Sequence, residues 1–321
     1  MRYLVLLALA VPLQFAAFGA AAQVYPDKTI RLVVPYGPGG SSDIVGRIVA
    51  QRLSEQLGRN VVPDNRPGAA GLIGTELVAR APADGYTLLI ADAGHSSLPL
   101  IYPKAGFHPT RDFAAISLVA TTPYMLAVHP SIPARSLKEL IALARARPDT
   151  LTHASGGTGS LGHLTAELFK QRTGLKIIHV PYKGGGQSVA DTVAGQTAIV
   201  VVAAAVVGPV VKAGRLRGLA VSSEKRSPAV PDIPTFEESG VRDFRVTNWY
   251  GMLAPAGTPS QIVSKLNEEI AKVVQTPAVR GRFENVLLEP VMNAPDELRI
   301  LIDAESARWA KLIKDLGLRT E

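Results

Sequence analysis

Short β-branched runs alternate along this chain with amphipathic stretches of helical length, and the turns between them are usually rich in glycine. Ile30-Arg31-Leu32-Val33-Val34-Pro35 predicts a strand, and the pattern over 42–57 predicts a helix that Gly58 stops. Residues 86–91 and 177–180 predict further strands, each reached after a helical stretch. The middle repeats the order, with helix over 136–146, strand over 151–154, helix over 161–173 and another helix containing 189–194. Residues 199–211 carry no charge, are too short to cross a bilayer and include Gly208-Pro209, which predicts a buried strand running into a packed helix. This βαβ rhythm belongs to an open parallel sheet, so the fold class is α/β, in one or two domains. Periodicity does not fix the topology.

Beyond Ala220, the residues Pro228, Pro231, Pro234 and Gly240 predict an irregular connector, followed by an apolar segment over 249–254. Thr258 is placed to cap a helix with Pro259 at its first position, running to about Val274. A last helix over 296–316 puts Leu298, Leu301, Ile302, Trp309, Leu312 and Ile313 on one face. These C-terminal helices are expected to cover a sheet, not to build a third lobe.

At the other end, Met1-Arg2, the apolar run over 3–13 and the small-residue exit Ala20-Ala21-Ala22 predict a secretory signal peptide over 1–22. Pro12, Gln14 and Gly19 interrupt it too often for a membrane anchor. The remaining chain is long enough for two lobes with their own cores and is not expected to span a membrane. Cysteine is absent, which excludes disulfides, thiolate metal sites, thiol catalysis and a lipidated N-terminal Cys. An exported chain without a lipid anchor is expected in the periplasm. The net charge of +7 comes from dispersed Lys and Arg, with no basic block of the kind that binds nucleic acid.

Four turns follow predicted strands: 37–43, 92–97, 155–160 and 183–186. In open α/β sheets ligands bind beyond the carboxyl ends of strands, where such turns converge. Glycine lets backbone approach a ligand, and free N–H groups at the next helix start attract negative charge. Two such loops with hydroxyls from Thr158 or Ser160 are enough for micromolar carboxylate binding, about −8 kcal/mol. The other reading of these glycines is tight strand-to-helix turns and nothing more.

Residues 157–162 match G-x-G-x-x-G, but the stretch 177–182, where a dinucleotide fold needs an acid, has none. No cofactor is expected. There is no phosphate-loop G-K-[ST], no H-E-x-x-H and no G-x-S-x-G. The six histidines, at 95, 108, 129, 153, 163 and 179, lack metal-ligand spacing, so no metal is expected. A scattered triad of Ser160, His163 and Asp43 is the one catalytic arrangement these residue types leave open.

Several separated motifs then resemble one group in the right order, over essentially all of the chain after residue 22. They include Tyr25-Pro26-Asp27-Lys28, Val34-Pro35-Tyr36-Gly37-Pro38-Gly39-Gly40-Ser41-Ser42-Asp43, Asn65-Arg66-Pro67-Gly68-Ala69-Ala70-Gly71 and Pro82-Ala83-Asp84-Gly85-Tyr86-Thr87-Leu88. Further on stand Val180-Pro181-Tyr182-Lys183-Gly184-Gly185-Gly186, Trp249-Tyr250-Gly251 and Ala254-Pro255-Ala256-Gly257-Thr258-Pro259. The group is the Bug-type extracytoplasmic solute receptors of tripartite tricarboxylate transporters.

The resemblance implies a type II periplasmic-binding-protein fold, two α/β lobes with a ligand cleft between them, and no enzymatic activity. It implies crossings near Pro123-Tyr124 and Phe244-Arg245, giving one lobe from 23–123 plus 245–321 and another from 124–244. The implied partners are a small carboxylate and integral-membrane transporter subunits. The implied first-lobe wall is Tyr36, Gly39, Gly40, Ser41 and Asp43, beside Ala93 and Ser96. The second wall is Ser155, Thr158, Gly159, Ser160, His163 and Tyr182, with Thr158 and Ser160 donating to the carboxylate and the two tyrosines flanking the rest. One departure is that 197–203 lacks the acids relatives commonly carry there, which favours a ligand without an amino group. A kinase-coupled sensor and a periplasmic hydrolase are the competing functions, and a sensor needs only the same ligand-stabilised closed state.

Overall fold

In the computed structural model residues 25–319 are described; the predicted signal peptide lies outside them. The described residues form ten strands in one curled sheet and ten α-helices. The first half is built from β1 (Ile30–Val34), α1 (Ser41–Leu57), β2 (Val61–Asn65), α2 (Leu72–Ala79), β3 (Thr87–Asp92), α3 (Leu98–Ile101) and the long β4 (Phe113–Val128). Next come α4 (Leu137–Ala146), β5 (Thr152–Ser155), α5 (Leu161–Thr173), β6 (Ile178–Pro181), α6 (Gly185–Val193), β7 (Ile199–Ala203), α7 (Ala204–Lys212) and β8 (Arg217–Val221). The chain ends with β9 (Thr247–Pro255), α8 (Ser260–Gln275), α9 (Pro277–Asn285), β10 (Glu289–Pro290) and α10 (Pro295–Asp315).

The strand order is β2-β1-β3-β9-β4-β7-β5-β6, with β8 and β10 also pairing β4. The outer strands of each half, β2-β1-β3 and β7-β5-β6, are parallel, as the βαβ rhythm requires. Antiparallel β9 and β4 occupy the middle. Strand β4 joins the two lobes: Phe113 to Pro123 pair β9, and Tyr124 to Val128 pair β7. Its length and its embedded Pro123 hide it from strand patterns tuned to about five or six residues.

Side-chain alternation decides which face each strand buries. In β1, Ile30, Leu32 and Val34 enter the core with Val45, Val49 and Leu53 of α1, whereas Val33 enters the core on the opposite face. Strand β7 divides the same way, Val200 and Val202 from Ile199 and Val201. Both faces of the sheet are thus covered, which explains the nearly continuous apolar runs.

Helix ends mostly follow the predicted signals. Gly58 takes a left-handed φ of 62° behind α1, and Ser136 caps α4 by accepting from Glu139 N at 3.2 Å. Thr258 does not cap α8. Its hydroxyl donates to Pro255 O at 2.8 Å, and Pro259 takes the cap position without a side-chain bond. A turn on the strand side thus claims the threonine before the helix begins. No described helix is long and apolar enough to cross a membrane.

Candidate ligand cleft

Strand ends and helix starts from both lobes meet at one small cavity. The first lobe contributes Tyr36, Gly40, Ser41, Ser42 and Asp92, and the second Gly156, Ser160, Gly162 and Gly185. Tyr124, Val202 and Val206 add apolar wall, and among the described residues no Lys, Arg or His lines the cavity. The starts of α1, α5 and α6 are therefore its boundaries. The first N–H groups of a helix have no partner within it and carry the positive end of its dipole. Ser42 strengthens the point, because its Oγ is buried here without a partner.

The lobes touch through backbone. Gly37 N donates to Lys183 O at 3.1 Å. A β-carbon on Gly186 would lie 2.9 Å from both Gly39 C and Pro38 O, so only glycine allows this approach. The 37–40 turn is fixed from behind by Asp43, whose carboxylate accepts from Gly39 N at 2.9 Å, Arg47 Nε at 2.9 Å and Asn65 Nδ2 at 3.0 Å. Burial pushes the Asp43 carboxyl upward, but the Arg47, Gly39 and Asn65 bonds outweigh it and hold it below the usual range.

Behind the first-lobe wall lies a buried polar network. Tyr36 Oη donates to Asp92 Oδ1 at 3.2 Å, and Gly94 N donates to the same oxygen at 3.1 Å. Asn248 Oδ1 accepts from Ala93 N at 3.1 Å while its Nδ2 donates to Tyr250 Oη at 2.8 Å, which also bonds Ser41. Burial raises the Asp92 carboxyl to about 6, against which the Tyr36 and Gly94 bonds act only partly.

The second-lobe loop rests on three stacked histidines. His163 lies 4.0 Å and His153 4.8 Å from the His179 ring, centroid to centroid. Gly159 N donates to His163 Nδ1 at 3.1 Å, and Ser155 Oγ lies 2.7 Å from His179 Nε2. Glu167 Oε1 approaches His153 and His163 at 3.8 and 3.7 Å and accepts from Lys170 at 2.7 Å. Burial drives His163 down to about 4 and also lowers His153 and His179. Among the described residues no group is arranged to hold a metal ion.

Of the residues singled out in the sequence, Tyr36, Gly40, Ser41 and Ser160 line the cavity. Ser160 Oγ accepts from His163 N at 3.3 Å, capping α5, and its own proton remains free to donate. Gly39 faces the other lobe, while Asp43, Ser155, Gly159 and His163 support the loops from behind. Ala93 N is held by Asn248, and Ser96 is buried with its carbonyl accepting from Ser306. Thr158 and Tyr182 line a neighbouring pocket with Lys183 and Tyr102, whose hydroxyl donates to Thr158 O at 2.7 Å. Ser160, His163 and Asp43 form no relay, since Asp43 is occupied by Gly39, Arg47 and Asn65. Sequence reading missed Asp92, Ser42 and Tyr124. The first two lie inside quoted loops and were legible as polar positions, whereas Tyr124 reaches the cavity only through the course of β4.

Residues 45–318 match the family model described as tripartite tricarboxylate transporter family receptor. The solved periplasmic binding protein BugD is 32% identical with a TM-score of 0.90, covering 92% of this chain and 100% of its own. Rpa4515 of R. palustris, solved with adipate, is 37% identical with a TM-score of 0.88, covering 91% and 98%. MatC (Rpa3494) from Rhodopseudomonas palustris, solved with bound malate, is 29% identical with a TM-score of 0.87, covering 90% and 100%. By the family match and these likenesses the chain belongs to the tripartite tricarboxylate transporter receptor family, as a Bug-type solute receptor and not an enzyme.

Proposed function

We propose that this receptor is exported, captures a small carboxylate in the periplasm and presents it to the membrane subunits of a tripartite tricarboxylate-type transporter. The observation that carries the reading is the convergence of three helix starts and the unpartnered Ser42 hydroxyl on one cavity that no cationic side chain lines among the described residues. A site of this kind favours an anion through partial charges and N–H donors, each helix start contributing about 0.3 to 2 kcal/mol. The adipate and malate of the two solved relatives belong to the same chemical class. On this reading Ser160, Ser42 and the starts of α1, α5 and α6 hold the carboxylate, and Tyr36 flanks the rest. Thr158 and Tyr182 act at the rim of the cleft.

The lobes divide on this proposal into 23–123 plus 245–321 and 124–244, with closure bringing the 37–40 and 183–186 turns together. The predicted leader over 1–22 accounts for export. A thermal-shift screen of the processed protein against mono- and dicarboxylates, amino acids and aromatic acids tests the reading. An acid at about 100 times its Kd stabilises by about 2.7 kcal/mol, a rise of a few degrees at most. If no acid raises the melting temperature, carboxylate capture is wrong.

A further inference from the structure

Asp92 ends β3 in the wall of the cavity, buried, where among the described residues no Lys, Arg or His lines the cavity to balance its charge. Its local duty does not need that charge. The Asp92 carboxylate accepts from Gly94 N, Tyr36 Oη and His95 N, neutral donors that call for an acceptor and not for a counter-ion, and at the cap of the short turn Ala93–Ser96 Asn or Ser serve as well as Asp. A neutral residue would avoid the heavy desolvation cost of a buried carboxylate. Gly94 brings this carboxylate close to the opposite lobe: a β-carbon there would meet Asp92 Oδ1 at 3.0 Å, Tyr36 Oη at 3.2 Å and Leu161 N, in the first turn of α5, at 3.6 Å. A ligand carboxylate seated at the starts of α1, α5 and α6 would leave Asp92 facing the remainder of the ligand. A bare acid would then add a second negative charge to a cavity that holds only partial positive ones.

We infer that Asp92 is the specificity-determining residue of the cleft, and that its ligand is a small carboxylic acid carrying a hydrogen-bond donor, ammonium or hydroxyl, that pairs with Asp92. This rests on the carboxylate-receptor reading above. It reverses the expectation drawn from the acid-free stretch 197–203, because the acid comes from the other lobe.

Calorimetric titration of the processed protein with three matched sets of acids tests it: succinate, malate and aspartate; glutarate, 2-hydroxyglutarate and glutamate; 3-phenylpropionate, 3-phenyllactate and phenylalanine. In the set that fits, a donor-bearing acid binds about tenfold or more tightly than the plain one, the gain expected of a hydrogen bond to a charged group. The ammonium and hydroxyl arms show which donor is used. Asp92→Asn keeps the cap and abolishes the advantage of an ammonium ligand over the plain acid of its set. Plain acids that bind wild type as tightly as their substituted partners overturn the inference while leaving the receptor reading intact. So does an ammonium preference that Asp92→Asn leaves unaltered. If no acid in any set binds, the receptor reading falls with it. The wild-type series decides the matter even if the variant does not fold.

Discussion

Burial without a counter-charge gives Asp92 a stability signature of its own. Its carboxyl titrates near 6 in the folded chain against an ordinary 3.8, so the folded state is favoured below 3.8 and loses that advantage as pH rises through 6. Above that the ionised group costs about 3 kcal/mol. Asp92→Asn is therefore expected to raise the unfolding free energy of the ligand-free protein by up to about 3 kcal/mol at pH 7.5, with the gain vanishing towards pH 4. Urea unfolding at several pH values checks it. The buried histidines act in the opposite sense. His95 and His163 both fall from 6.5 to about 4 through burial, so the unfolded chain binds more protons between those values. Their contribution is complete above about pH 6.5 and declines by about 1.4 kcal/mol per pH unit for each as pH falls. Unfolding midpoints that stay flat from pH 7 to pH 5 would contradict this account of His95 and His163.

At the scale of elements, helices were the most legible part. The 161–173 helix has its predicted bounds, and α1 and α10 differ from theirs by a residue or so, because caps and periodicity are local signals. What escaped was non-local. The 16-residue β4 takes its place from partners in both lobes, and the histidine stack gathers residues from β5, α5 and β6. The cleft was legible as four turns, yet which side chains face the cavity depends on the contact between lobes, so Thr158 lines a neighbouring pocket while Asp92, not singled out in the sequence, lines the cavity. Two substitutions test the packing of elements. Ser136→Ala removes the cap of α4 and is expected to cost about 1 kcal/mol. In Gly162→Ala the new β-carbon would stand 2.6 Å from Val201 O, driving α5 off β7, and about 1–3 kcal/mol is expected. Urea unfolding measures both, and an unchanged Gly162→Ala would show that this helix–strand contact is not tight.

For the whole molecule, the proposed capture couples ligand binding to the approach of the two lobes, and Gly186 separates that approach from the stability of each lobe. It sits in the first turn of α6, where alanine favours the helix by up to about 1 kcal/mol, while its β-carbon would collide with Pro38 O and Gly39 C of the opposite turn. Those atoms are backbone and cannot swing aside as a flexible side chain does. The closed form is thus disfavoured in Gly186→Ala without loss of the fold, and a ligand that binds only the closed form loses affinity in proportion. Calorimetric titration of the processed protein and of Gly186→Ala, with the acid that gives the largest thermal shift, tests this most directly. One carboxylate is expected to bind per wild-type chain, with binding weaker by about tenfold or more in the variant. Equal affinity in the two proteins, or no binding of any carboxylate to wild type, would contradict it.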